Sequence, residues 1–207
     1  MRTVLRQLTQ EAHQRAEAVF PLRRIVSGRP GYAEWLGTQA IWYQCVSQQL
    51  ARCLGDQTEH AIERFVASID RRRLALEADC EAIGVVGGAS HLVRVERVAL
   101  DRSSAAAAGA CYVVLGSAMG AALIRKAVVE HGRGDWPMAF FTLLSKEHEK
   151  RVWPSFLDYL SGFESADDER AGGQAAEWAF GQFAEIAWSY AGPTVPRAAV
   201  DPGGVAE

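Results

Sequence analysis

The chain has 207 residues, of which 49% are hydrophobic and 23% charged, and its formal net charge is −3. This length and composition predict one compact globular domain, and the lack of a basic excess argues against nucleic acid as the main partner. The four cysteines show no metal-binding spacing, and the charged N-terminal segment lacks a signal-peptide core, so we expect a reduced protein in the cytoplasm. Arg, Gly or Ser interrupts every apolar run before it reaches the roughly 18 residues of a membrane span, so we expect no membrane partner.

The first half of the chain has helical periodicity almost throughout. Its predicted elements are, in chain order, a helix from the N-terminus to Phe20-Pro21, a short helical piece over 22–26, a turn over 27–31, a long helix over 32–54, a helix over 58–83 that ends at Gly84, and a loop or brief strand-like piece over 85–100. Within the long helix, the predicted buried positions are Trp35, Leu36, Ile41, Tyr43 and Val46.

The second half is also predicted to be helical. Its predicted elements are a helix over 104–131 capped by Ser103, a helix capped by Asp135 that begins at Trp136-Pro137 and runs to about 160 with a break ahead of Pro154, a last helix over 169–190, and a tail over 192–207. The prolines and glycines of the tail predict disorder. We therefore expect an all-α, single-domain helical bundle over residues 1–191.

The first helix carries a polar stripe with the chemistry of a metal ligand. Arg6, Gln10, His13 and Glu17 are three or four residues apart and share one helical face. A carboxylate at Glu17 can accept the Nδ1 proton of His13 and leave Nε2 free for a metal, while Arg6 can meet a carboxylate of the ligand. On spacing alone the commoner interpretation is that His13 is a half-exposed helix histidine beside a surface acid.

Two glycines, Gly116 and Gly120, interrupt the otherwise strong helical pattern of residues 104–131. Each costs about 1 kcal/mol relative to alanine inside a helix, so both require a reason. Their four-residue spacing allows close approach of another helix, which is the favoured explanation in isolation. The alternative is that a flat ligand lies against the backbone there, with Ser117 holding a water.

Five segments, taken in order, resemble the haem oxygenase family, in particular its bacterial biliverdin-producing subgroup. They are LRQLTQEAHQRAE at 5–17 (family pattern L-x-x-x-T-x-x-x-H-x-x-A-E), YAEWL at 32–36 (Y-x-x-[FW]-L), RLALEADCEAIG at 73–84 (R-x-x-L-x-x-D-L-x-x-L-G), YVVLGSAMGAA at 112–122 (Y-V-x-E-G-S-x-L-G-[GA]), and FF at 140–141 with WPSFL at 153–157 (F-[FL]…W-x-x-F-L). The likeness covers about residues 2–190. Leu115 departs from it, because it stands where an acid is usual. Ser117 stands where animal members have aspartate, and bacterial members also carry serine there. The basic residues that some members place on the last helix are absent between Glu177 and Tyr190.

The resemblance implies haem b as substrate and cofactor, sandwiched between the first helix and the glycine-containing distal helix. It makes His13 the ligand of the haem iron and Glu17 the residue that orients it. By the same likeness Gly116, Gly120 and Ser117 form the catalytic distal side. Arg6 and Tyr112 are the best candidates to bind the propionates, with Arg125 and Lys126 as weaker ones.

The implied reaction is oxidative cleavage of haem to biliverdin, carbon monoxide and ferrous iron. The implied electron donor is a ferredoxin or an NAD(P)H-dependent reductase, and a bilin-accepting protein is a further candidate partner. One alternative is a haem carrier or sensor of the same fold that does not cleave the ring. A relative that has lost haem, as the thiamin-degrading branch did, is disfavoured by the presence of both His13 and Glu17. A ferritin-like di-iron site is disfavoured because no histidine has a glutamate three residues before it.

Overall fold

The structure of the chain, a computed structural model, describes residues 1–54, 60–85 and 100–191. Within these ranges all regular structure is α-helical and no strand occurs, which confirms the predicted all-α, single-domain fold. The helices are α1 (Arg2–Val19), α2 (Leu22–Val26), α3 (Arg29–Leu54), α4 (His60–Ile83), α5 (Ser104–Gly116), α6 (Ala118–Glu130), α7 (Ala139–Glu149), α8 (Val152–Leu160) and α9 (Ala166–Ala191). The predictions for 86–99 and for the tail at 192–207 lie outside the described residues.

The helix ends of the first half follow local signals that are visible in the sequence. α1 ends before Phe20-Pro21, α2 has the predicted bounds, and α4 ends at Gly84, whose φ of +82° is the left-handed conformation that glycine adopts readily. α3 begins at Arg29, earlier than predicted, because Pro30 falls in its first turn, where a missing N–H costs nothing. All five positions predicted to be buried in α3 are buried.

The single helix predicted over 104–131 is wrong, because the structure divides it into α5 and α6 at Ser117. The predicted cap at its start is confirmed: the Ser103 hydroxyl oxygen accepts a hydrogen bond of 3.1 Å from the backbone N–H of Ala106. At the junction, the Ser117 hydroxyl donates to the carbonyl of Val114 at 2.8 Å. The interruption of the helix therefore lies between Gly116 and Gly120, the two glycines singled out in the sequence.

Asp135 does not cap the next helix, so that prediction is also wrong. α7 begins at Ala139 rather than at Trp136. The buried carboxylate of Asp79, on α4, accepts the backbone N–H groups of Ala139 at 2.8 Å and of Phe140 at 2.9 Å. The first turn of α7 is thus capped by a residue that lies far away in the sequence.

The last two helices begin at local breaks. The break predicted ahead of Pro154 is confirmed, since Arg151 between α7 and α8 adopts a left-handed conformation with φ of 56°. α9 begins at Ala166, three residues earlier than predicted, and Ser165 caps it by accepting the N–H of Asp168 at 3.0 Å. The start of α8 thus follows a left-handed residue, and the start of α9 follows a serine cap.

The core is built around α5, whose residues from Ala105 to Leu115 are nearly all buried. α5 packs against α9, and the closest approach is between Gly109 and Gly172. A Cβ atom on Gly109 would lie 2.0 Å from the carbonyl oxygen of Gly172, so only a glycine fits at this crossing. α1 and α3 also pack against α9, and α3 packs against α4.

The stretch Ser104–Glu130 is long and apolar enough, by length and composition, to cross a membrane, with a mean hydropathy of 1.8. Our expectation that no run reaches this length is therefore wrong for this stretch. Half of its most apolar 18-residue segment is buried inside the protein, where α5 forms the centre of the core. The high hydropathy thus has an explanation in helix packing.

Candidate functional site

A cavity of about 210 Å³ lies between α1, α3, α9 and the junction of α5 and α6. Apolar and aromatic side chains form most of its walls: Phe20, Ile25, Trp35, Trp42, Phe140, Trp153, Phe180 and Phe183. Large aromatic walls with a few polar groups are typical of a small-molecule site. Five site residues predicted from the sequence line this cavity: His13, Tyr112, Gly116, Ser117 and Gly120.

His13 lines the cavity from α1. Its side chain is exposed, and its ring packs edge-on against Phe180 with 6.1 Å between the ring centroids. Thr9 and Ala16, one turn to either side, also line the cavity. The face of α1 that the ligand would meet therefore passes through Thr9, His13 and Ala16.

Arg6 does not line the cavity. The Glu17 side chain lies outside the described residues, so its predicted contact with His13 is untested. Arg6 is exposed, and its charge acts on the Tyr112 hydroxyl together with that of Arg2. Arg2 was not singled out from the sequence, where a cation so near the N-terminus gives no signal.

Gly116, Ser117 and Gly120 line the same cavity as His13. A Cβ atom on Gly120 would meet nothing within 4 Å, and one on Gly116 would meet only the Trp153 ring, 3.3 Å away at Cη2. Close helix packing, the explanation favoured from spacing, is therefore wrong for Gly120, whereas at Gly116 the neighbour is a side chain of α8 and not another helix backbone. That role belongs to Gly109, whereas Gly116 and Gly120 leave helix backbone accessible from the cavity.

Tyr112 lines the cavity one turn before Gly116, and its ring packs on Trp153 with centroids 5.5 Å apart. Burial raises the pKa of its hydroxyl above the usual value, while the positive charges of Arg2 and Arg6 act in the opposite direction. The hydroxyl is therefore a neutral hydrogen-bond donor near two cations. This edge of the cavity suits an anionic group.

Gln39 is a cavity residue that our sequence analysis missed. It lies on α3 between the cavity-lining residues Trp35 and Trp42, and only 8% of it is exposed. The signal available was its position, four residues after one predicted buried tryptophan. Helical periodicity identifies which face of α3 is buried. It does not indicate that one polar residue on that face lines a cavity.

The donor set fits a planar, mostly apolar ligand with an acidic edge and a metal that takes one protein ligand. One imidazole and one phenol line the cavity, and the charges of Arg2 and Arg6 act on the phenol. Among the described residues there is no group of three or more His, Cys, Asp or Glu side chains suited to hold a bare metal ion. A metal already held in a macrocycle needs only an axial ligand from the protein, which His13 can supply.

No protein-family model and no curated protein matches the chain.

Proposed function

We propose that the protein is a haem oxygenase that converts haem, with dioxygen and electrons from a ferredoxin or an NAD(P)H-dependent reductase, to biliverdin, carbon monoxide and ferrous iron. One observation carries the proposal: His13 lines the same cavity as Gly116, Ser117 and Gly120. These residues come from segments far apart in the sequence, and the family resemblance assigns them to the two faces of one ligand. A chance likeness of short motifs gives no reason for them to share a cavity.

His13 holds the substrate through its iron. A neutral imidazole binds iron through one ring nitrogen and donates a proton from the other, and the partner of that proton fixes the ring. Glu17, one turn later on α1, has the chemistry and the spacing of such a partner. Bound haem supplies the redox chemistry, and the protein supplies its orientation and surroundings.

Gly116 and Gly120 let the flat face of the substrate lie close to helix backbone. The absence of a β-carbon at both positions keeps this part of the cavity open, as the space around Gly120 illustrates. The Ser117 hydroxyl uses its proton on the Val114 carbonyl, so its oxygen can still accept a hydrogen bond from a water in the cavity. A water held there can pass a proton towards the substrate.

Arg6 and Tyr112 bind the propionates, and Arg2 joins them. Two guanidinium groups and a neutral phenol near one edge of the cavity match two carboxylates. With this edge bound to the propionates, the remainder of the macrocycle lies among the aromatic walls. We place the protein in the cytoplasm, where a reductase is available and its four buried cysteines stay reduced.

Haem titration tests the proposal directly. The wild-type protein should bind one equivalent of haem with the spectrum of a histidine-ligated iron, and His13→Ala should lose that spectrum. Added imidazole should partly restore it by occupying the vacated position. His148→Ala is the matched control, because His148 is exposed on α7 and does not line the cavity. An unchanged Soret band in His13→Ala would overturn the proposal.

A second candidate function is a haem carrier or sensor that does not cleave the ring. It is favoured by the absence of an acidic residue among the described residues that line the cavity. Leu115, which stands where the family has an acid, is buried in the core. Aerobic incubation of the haem complex with ascorbate or a reductase, followed by absorbance, separates the two functions: an oxygenase forms biliverdin and a carrier retains haem.

A further inference from the structure

Gln39 places a side-chain amide in the wall of the cavity. Gln39 is 92% removed from solvent, as its 8% exposure shows, and it lines the cavity. It makes no hydrogen bond with any other residue that the structure describes. An amide that has no protein partner and lies on a cavity wall can form its hydrogen bonds with a ligand or a water in the cavity.

Two hydroxyl groups on the cavity wall differ from Gln39, because each is paired with a backbone carbonyl. The Thr9 hydroxyl donates to the Leu5 carbonyl at 2.7 Å, and the Ser117 hydroxyl donates to Val114 at 2.8 Å. The buried side-chain atoms that lack a partner in the described part of the chain are Ser47 Oγ and Trp178 Nε1, and neither residue lines the cavity. Gln39 thus combines an unpaired group with access to the ligand.

The chemistry of the proposed reaction indicates what this amide meets, and the inference rests on that proposed function. The carboxylates of haem are its propionates, which we assign to the edge with Arg6 and Tyr112, and the rest of its periphery is hydrocarbon. Ring cleavage creates two terminal rings that each carry a carbonyl and an N–H, which is a lactam. A primary amide has the same pair of groups and can both donate to and accept from a lactam.

We propose that Gln39 recognises a terminal lactam of the open-chain tetrapyrrole product. The amide has no polar counterpart on the hydrocarbon part of haem, so it strengthens the binding of product and not of substrate. Aromatic neighbours on both sides, Trp35 and Trp42, exclude water from this hydrogen bond and thereby strengthen it. The expected consequence is slow product release, which makes the transfer of biliverdin to an acceptor a controlled step.

The test compares Gln39→Met with wild type in equilibrium titrations of two probes, ferric haem and biliverdin. Methionine keeps the length of the side chain and removes the amide. We expect the Kd for biliverdin to rise about tenfold, equivalent to ~1.4 kcal/mol, and the Kd for haem to change less than about twofold. Gln48→Met is the matched control: it makes the same chemical change on an exposed residue of α3 and should alter neither Kd.

Each other outcome overturns the inference. Equal weakening of both ligands would show that Gln39 shapes the cavity, and unchanged affinities would show that the amide holds only water. Gln39→Leu repeats the test if Gln39→Met fails to fold. If wild type cleaves haem while neither Gln39 variant alters biliverdin binding, only this inference fails. If wild type binds neither haem nor biliverdin, the proposed function fails and the inference fails with it.

Discussion

Arg72, buried in α4, donates a hydrogen bond of 3.1 Å from Nη1 to the carbonyl oxygen of Val114 near the end of α5. Its Nε donates to the Glu147 carboxylate of α7 at 2.6 Å. The Ser117 hydroxyl donates to the same Val114 carbonyl. Because the last carbonyls of a helix lack partners within the helix, these side chains stabilise the point at which α5 gives way to α6. The junction of α5 and α6 beside the cavity is therefore attached to α4 and α7 through a buried ion pair.

Arg72→Met should strongly destabilise the protein. The change leaves the Glu147 carboxylate buried without its main partner, and breaking a buried pair in this way typically costs about 3–5 kcal/mol. Urea denaturation followed by far-UV circular dichroism measures the free energy of unfolding. We also expect weaker haem binding, since the end of α5 loses a hydrogen bond.

Arg71→Met provides the matched control for Arg72→Met. Arg71 lies 3.6 Å from the same carboxylate but is exposed, so its loss should cost at most about 1 kcal/mol. Arg72→Met combined with Glu147→Leu should recover much of the lost stability, because no buried charge remains unpaired. A loss below about 1 kcal/mol for Arg72→Met alone would contradict the assigned role.

Asp79→Ala should also destabilise the protein, because the Ala139 and Phe140 N–H groups lose their acceptor at the start of α7. Loss of a helix cap costs about 0.5–2 kcal/mol, and leaving buried donors unpaired raises the cost towards the upper end. Asp135→Ala is the control. Asp135 is exposed, and its replacement should change the free energy of unfolding by less than about 0.5 kcal/mol. Equal effects would show that Asp135 contributes to the cap after all.

These two aspartates show why the fold could be predicted only in part. Helix periodicity and local stop signals such as Gly84 depend on neighbouring residues, and the helices they mark were predicted correctly. The cap of α7 comes from Asp79 on α4, and Arg72 on α4 donates a hydrogen bond to the Val114 carbonyl near the junction of α5 and α6. Such contacts join residues far apart in the sequence, and a pattern in one segment cannot show them.

The candidate site shows the same division. His13 and the two glycines could be identified because they lie in motifs, and the structure places them on one cavity. The reason for the glycines could not be identified, since a four-residue spacing suits both helix packing and ligand approach. Only the position of the neighbouring helices separates the two, and it assigns close packing to Gly109.

Arg6→Met should weaken haem binding without changing the iron ligation. Its charge lies near the Tyr112 hydroxyl, where we place the propionates, and an exposed charge pair contributes up to about 1 kcal/mol, or roughly fivefold in Kd. The dimethyl ester of haem, which lacks the carboxylates, should bind wild type and variant alike. Lys126→Met is the control, since Lys126 is exposed on α6 and its ammonium group lies 3.7 Å from Glu130. If Arg6→Met raises the Kd for haem and the Kd for its dimethyl ester by the same factor, the propionates bind elsewhere.

The four cysteines should not react in the folded protein. Burial raises the pKa of Cys45 and of Cys80 to about 11, and it raises the pKa of Cys53 and of Cys111 as well. At pH 8 a thiol with such a pKa is about one thousandth thiolate, the form that attacks disulfide reagents. Ellman's reagent should therefore detect four thiols only after denaturation. Rapid reaction of a thiol in the native protein would show that its surroundings open.

Gly120→Ala should raise stability and lower the yield of biliverdin. Alanine inside a helix is favoured over glycine by up to about 1 kcal/mol, and the new methyl group would meet nothing within 4 Å. The methyl group nevertheless lies on the cavity wall, where it would hold the flat substrate away from the backbone. We therefore expect a higher thermal midpoint and less biliverdin formed per haem. The haem Kd, measured alongside, shows whether the substrate still binds.

Gly181→Ala separates the two effects of that substitution. Gly181 lies inside α9, and a Cβ atom there would also meet nothing within 4 Å, but it does not line the cavity. It should give the same gain in stability with an unchanged biliverdin yield. If Gly120→Ala also keeps the wild-type yield, the substrate does not lie against Gly120. If Gly120→Ala instead loses both stability and haem binding, Gly120 serves helix packing and the substrate lies elsewhere.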